Sequence, residues 1–111
     1  MSEHPTVTAV DALAAELLDE AAAHSARRTA RTLVSGNSLR ATLIAMLAEA
    51  ELAEHDSPAA GTVHVLGGEV LLRTPSRQWE LTEGDIVALP PERHSVHALT
   101  DATMLLTVAL H

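Results

Sequence analysis

From Thr29 onward the chain is cut into short pieces by turn residues, and no other feature restricts its fold so tightly. Ser35-Gly36-Asn37, Ser57-Pro58, Gly67-Gly68, Thr74-Pro75-Ser76, Glu83-Gly84-Asp85, Pro90-Pro91 and Thr100-Asp101 punctuate the sequence. Most of the runs between them are rich in Val, Leu, Ile and Thr. These punctuating residues favour turns because each supplies a backbone angle or a local hydrogen bond that strands do not use. Short apolar runs at such spacing, with no helices between them, predict an antiparallel sandwich or barrel. Within it, Thr62–Leu66 and Glu69–Arg73 read as a hairpin, because Gly67-Gly68 can adopt the positive φ angles of a two-residue turn.

An amphipathic stretch precedes this string. Val10, Leu13, Leu17, Leu18 and Ala21 recur at helical spacing, with Asp11, Glu16, Asp19 and Glu20 mostly on other faces. Thr8 and Asp11 read as a cap and box at its start. Arg27, Arg28 and Arg31 read as dipole compensation at its C-terminus. The leucines are expected to pack on the body of the domain or across a dimer. The chain thus divides into a helix with lead-in over residues 1–30 and a β domain over residues 31–111, one globular unit in all.

Composition narrows the function. A chain of 111 residues buries roughly two thirds of its unfolded surface. With no Phe, no Tyr and Trp79 as the only aromatic residue, its core must be packed from Leu, Val, Ile, Met and Ala. The absence of Cys excludes thiolate metal sites, cysteine nucleophiles and disulfides. The net charge is −8 and every strong cation is an arginine, a balance that repels phosphate backbones and argues against nucleic-acid binding. No run reaches the ~20 apolar residues of a membrane span, and no leader is visible, so a cytoplasmic, membrane-free address is expected. Phosphate loops, nucleophile elbows and His-Glu-x-x-His are missing.

The chemistry gathers between Gly84 and Leu99. This segment reads as a turn, a short strand, a Pro-Pro corner and then His94 heading another strand. An imidazole presented by a strand end is a natural metal ligand or acid–base group. Gly84, Pro90 and His94 resemble the second conserved motif of the cupin superfamily: glycine, five residues, proline, a short turn, histidine. The family's glycine after the corner is absent here, and the corner is one residue shorter than the common form. Residues 52–68 are similar to the first cupin motif. His55 stands at its first histidine, Ser57 at its second, Gly61 or Thr62 at its glutamate, and Glu49 where the preceding turn usually has glycine.

The resemblance covers roughly residues 30 to 110. It implies a mainly β protein: an antiparallel cupin-type barrel or jelly roll with one N-terminal α-helix. It also decides a local conflict. By propensity, Ser38–His55 is a helix capped by Ser38; the cupin pattern places a strand at about Arg40–Ala48, a turn near Glu49–Glu51 and a short strand ending at His55. The second reading is adopted.

Cupins with the full set hold one divalent metal with three histidines and a glutamate; this chain retains His55 and His94. Two readings stay open at this point. Either His55 and His94 hold a divalent metal (iron, manganese, zinc or nickel), or they line a pocket with Ser57 as hydrogen-bonding groups for a small molecule. Glu51, Glu54 and Asp56 lie close enough in sequence to lend an oxygen. His64 alternates out of phase with Gly61, Val63 and Val65, and His97 with His94, so both are expected away from that pocket. Arg73, Arg77, Gln78 and Arg93 are further polar candidates, and Trp79 reads as a packing anchor or dimer contact. The functional expectation is a small-ligand-binding domain, homodimeric through the apolar run Met104–Leu110. The alternatives are a metal-dependent dioxygenase, isomerase or cyclase, and a regulatory module with a vestigial site.

Overall fold

The computed structural model describes residues 6–55 and 60–110, with only the backbone of Glu54 and His55. Helix α1 spans Val10–Ala23. The strands follow: β1 Arg28–Ser35, β2 Leu39–Met46, β3 Glu51–His55, β4 Gly61–Gly67 and β5 Glu69–Arg73. The remainder are β6 Gln78–Thr82, β7 Ile86–Ala88, β8 His94–Ala98 and β9 Ala102–Ala109. They form two antiparallel sheets, β1-β2-β9-β4-β7 and β3-β8-β5-β6. The protein is therefore mainly β, and its sheets pack as a jelly-roll-like sandwich; they remain two sheets and do not close into one barrel.

Alternation fixes the inner faces. Val63 and Val65 of β4, Met104 of β9, Ile44 and Met46 of β2, Val70 and Leu72 of β5, Leu81 of β6, and Val96 and Ala98 of β8 form one core between the sheets. A smaller core lies on the outer face of the larger sheet. There Ala14 and Leu17 of α1 cover Leu43 and Ala45, joined by Val10, Leu13, Leu18, Leu33 and Leu66. The expected docking of the helix on the body of the domain is realised, and Thr29 Oγ1 donates to the Leu17 carbonyl at 2.8 Å. No helix among the described residues is long and apolar enough to cross a membrane.

Several local expectations need correction. Gly67-Gly68 is not a hairpin turn: β4 pairs with β7 and β9, while β5 pairs with β6 and β8. The chain instead crosses from one sheet to the other at Gly68, whose φ is +76°. The N-cap of α1 is Ala9, without a side-chain cap, so Thr8 and Asp11 do not form the box. No basic residue lies in the last helical turn. Arg27 instead takes a left-handed turn at φ +58°, and Arg28 and Arg31 belong to β1, where Arg31 meets Glu20 at 3.4 Å. Residues 39–46 form a strand despite their helical propensity, because β2 is held between β1 and β9. The run Met104–Leu110 falls largely in β9, a central strand between β2 and β4; Met104 is buried in the inter-sheet core and Leu106 packs against it, while the rest of the run is half-buried.

The two ends of the sandwich differ. At one end all four connections, β2–β3, β4–β5, β6–β7 and β8–β9, pass from one sheet to the other. At the opposite end, β1–β2 and β5–β6 return within their own sheet, leaving two crossings, β3–β4 and β7–β8. His94, the Pro90-Pro91 corner and the end of β3 all lie at this second end.

Candidate functional site

His94 opens β8 in phase with Val96 and Ala98, which belong to the inter-sheet core, so its ring faces inward. It is only 1% exposed. Its Nδ1 lies 3.0 Å from the Glu92 carbonyl oxygen. A carbonyl only accepts, so Nδ1 carries a proton and donates. This arrangement fixes the ring orientation.

His55 stands directly across from His94 in the β3–β8 ladder. The pairing depends on an irregularity: Leu52 opposes Val96, and uninterrupted alternation from there would bring Glu54, not His55, opposite His94. One extra residue between Leu52 and His55 shifts the register, the kind of bulge that re-aims a residue beside a site. Ser57 lies outside the described residues, as do Asp56 and the Ser57-Pro58 turn. Glu51 is exposed on the outer face, where Oε1 lies 3.8 Å from His97 Nδ1, so it stands apart from His94.

His64 and His97 fall where strand parity put them. His64 is half-buried and pairs with Leu105 and Ile86 across the larger sheet, out of phase with the core residues Val63 and Val65. His97 lies on the outer face of the smaller sheet, its Nε2 3.2 Å from Glu49 Oε2.

Among the described residues the donor set does not complete the metal cage that the cupin pattern implies. At Gly61, which with Thr62 is one of the two positions matched to the family's glutamate, an added Cβ would meet Leu89 Cδ1 at 2.7 Å and the Thr107 carbonyl at 2.8 Å. Leu89 thus occupies the space a side chain at Gly61 would need. Catalytic metals ordinarily take three protein ligands with one position open. Among the described residues no group of three His, Asp or Glu side chains is placed to hold an ion.

Beside this end the gap between the edge strands β6 and β7 opens into a cavity of about 340 Å³ lined by Leu72, Arg77, Trp79, Val87, Ala88, Pro90, Pro91 and Glu92. Trp79 packs on the inter-sheet core and also lines this cavity. The Arg77 guanidinium carbon lies 5.3 Å from its ring centroid. Sequence reasoning names Arg77 and Trp79 but does not join them, because the cavity is made by two strands that belong to different sheets.

By sequence alone the chain matches no protein-family model and no curated protein. Its structure is similar to solved ones. An RmlC-like cupin from Desulfovibrio desulfuricans superposes with a TM-score of 0.70 at 21% identity, covering 98% of this chain and 96% of that one. A conserved protein of unknown function from Streptococcus pyogenes gives 0.74 at 22%, covering 99% and 91%. A cupin superfamily protein from Desulfitobacterium hafniense gives 0.71 at 14%, covering 76% and 78%. The fold is that of the RmlC-like cupins, as the two motifs implied.

Proposed function

We propose that this cupin-fold chain binds a small molecule at the less-stitched end of its sandwich, with His55 and His94 as polar contacts in the pocket. The observation that carries the reading is the β3 bulge, which brings His55 rather than Glu54 opposite the inward-facing, carbonyl-held His94. An imidazole whose Nδ1 is engaged by a backbone carbonyl is held in one orientation, and imidazoles so held are suited to hydrogen-bond an anionic or carbonyl ligand. Ser57 belongs to the same proposal through its position in the motif. A second copy of the chain is proposed as a partner. Its support is the apolar row formed by Ile86, 63% exposed on edge strand β7, with His64 and Leu105 beside it.

The test is a small-molecule library read by thermal shift on the wild type, His55→Ala and His94→Ala, each with and without iron, manganese, zinc or nickel. The reading expects hits that stabilise the wild type and lose their effect in both variants without metal. Stabilisation only in the presence of a metal would replace it with the metal-dependent alternative. Hits indifferent to both substitutions would remove the histidines from the pocket. Ile86→Glu is expected to abolish self-association in sedimentation equilibrium; unchanged association would place the contact elsewhere.

A further inference from the structure

The cavity between β6 and β7 combines features that the histidine pair does not explain. Its lining is chiefly apolar, from Leu72, Trp79, Val87, Pro90 and Pro91. One cation, Arg77, stands among these residues in a chain with fifteen acidic residues and seven basic ones. The field of such a chain repels anions, so anion binding needs a locally held positive charge.

Arg77 is held locally twice over. Its backbone is clamped by the buried Thr74: Arg77 N donates to Thr74 Oγ1 at 3.0 Å, and Thr74 N donates to the Arg77 carbonyl at 2.8 Å. Its guanidinium lies over Trp79, two residues on and so on the same side of an extended chain. Stacking leaves the planar edge of N–H donors available for a carboxylate, which arginine binds bidentately. Across the cavity Glu92 accepts a hydrogen bond from Ser76 Oγ at 3.3 Å, which ties the β7–β8 connection to the β5–β6 turn.

We infer that this cavity selects small molecules bearing a carboxylate on an apolar body, with the carboxylate on Arg77 and the body against Trp79, Leu72 and Val87. The inference rests on the small-ligand reading above and names its ligand class. Since Glu92 lines the same cavity, an amino acid with an apolar side chain and a simple apolar acid are two sources of the one chemistry.

Trp79 is the only aromatic residue, so its fluorescence reports this cavity without interference. The probes are 4-methylpentanoate, leucine and the neutral 4-methylpentanamide, titrated into the wild type, Arg77→Gln and, as an exposed-charge control outside the cavity, Arg73→Gln. The expected result is saturable Trp79 quenching by an acid probe, with the amide at least about tenfold weaker. Arg77→Gln should lose that preference and Arg73→Gln should keep it. Tighter binding of leucine, weakened by Glu92→Gln, would identify the zwitterion as the source; tighter binding of the simple acid would identify the monoanion. Equal affinity for acid and amide, or an unchanged preference in Arg77→Gln, overturns carboxylate selection while leaving small-ligand binding intact. No response to any probe overturns the inference at this cavity, and the library test on His55 and His94 then decides the broader reading separately.

Discussion

The end of the sandwich with four sheet-to-sheet crossings and the end that carries His94 use the same kinds of residue to opposite effect. At the first end the connections are short, from the single residue Gly68 to the four residues 47–50, and they hydrogen-bond to one another and to the strand ends beside them. Asp101 Oδ1 accepts from Ala48 N at 2.8 Å, Thr100 Oγ1 from Glu69 N at 3.0 Å, and the Val65 carbonyl from Gly84 N at 2.8 Å. The core there is filled by the small side chains of Ala50, Ala98 and Ala102. At the second end two connections are hairpins, the crossings are longer, and a cavity remains between edge strands. Stability concentrated at one end leaves the other free to carry polar and concave features, which compact packing tolerates poorly.

The sharpest way to break this contrast is at Gly68. Its φ of +76° belongs to the left-handed region, and an added Cβ would fall on the Asp101 carbonyl and lie 2.9 Å from Ala102 Cα. Gly84 also has a positive φ, +92°, but an added Cβ there meets nothing within 4 Å. Gly68→Ala is therefore expected to cost about 3 kcal/mol or more, combining strain with a forced backbone shift. Gly84→Ala should cost about 1–2 kcal/mol from the conformation alone. Urea denaturation of both variants measures the gap. Equal losses would mean that the crowding at Gly68 relaxes and that the β4–β5 crossing is not tightly locked.

Two glycines that look alike in the sequence thus have different roles, and the same limit explains what else could be read in advance. Turn chemistry and strand parity are local, so the positions of His64, His94 and His97 relative to the core follow from counting residues. Which strand pairs with which is not local: Gly67-Gly68 carries every sign of a hairpin, yet the chain changes sheets there. Strand β2 was illegible for another reason. Its Leu43, Ile44, Ala45 and Met46 are all buried, one face against the other sheet and one beneath α1, so no alternation remains to distinguish it from a helix. Only the family resemblance placed it. The Arg77–Trp79 cavity needs a third dimension altogether, because its walls are contributed by β5, β6, β7 and the Pro-Pro corner.

A second test works on the open end. His94→Leu keeps comparable volume in the core and removes the donor to the Glu92 carbonyl. Glu92 is exposed, so water can replace that donor, and a leucine in phase with the core residues Val96 and Ala98 suits an apolar surrounding. The expected change in unfolding free energy is within about 1 kcal/mol, together with loss of the small-molecule response at this end. A loss of about 3 kcal/mol or more would mean that His94 is a structural keystone and that the open end shares the work of holding the sheets together.

The smallest expected effect lies back at the stitched end, where Glu49 has φ +74°. The cupin pattern usually has glycine here, and the conformation found explains why: a side chain in the left-handed region costs about 1–2 kcal/mol. The strain persists because the turn is held on both sides, with Glu49 N donating to the Ala98 carbonyl at 2.8 Å and Ala98 N to the Ala50 carbonyl at 2.9 Å. Glu49 also reaches His97, although its side chain is 77% exposed, and such surface pairs contribute about 1 kcal/mol at most. Glu49→Ala removes that contact and keeps the strain; Glu49→Gly removes both, at the cost of a more flexible unfolded chain. Glycine is therefore expected to be more stable than alanine by about 0.5–1 kcal/mol, and close to the wild type, by urea denaturation. Alanine equal to glycine would show that the turn relaxes to suit its occupant. The crossings would then adapt to their residues rather than impose a backbone on them, and the contrast between the two ends would rest on the crowding at Gly68 alone.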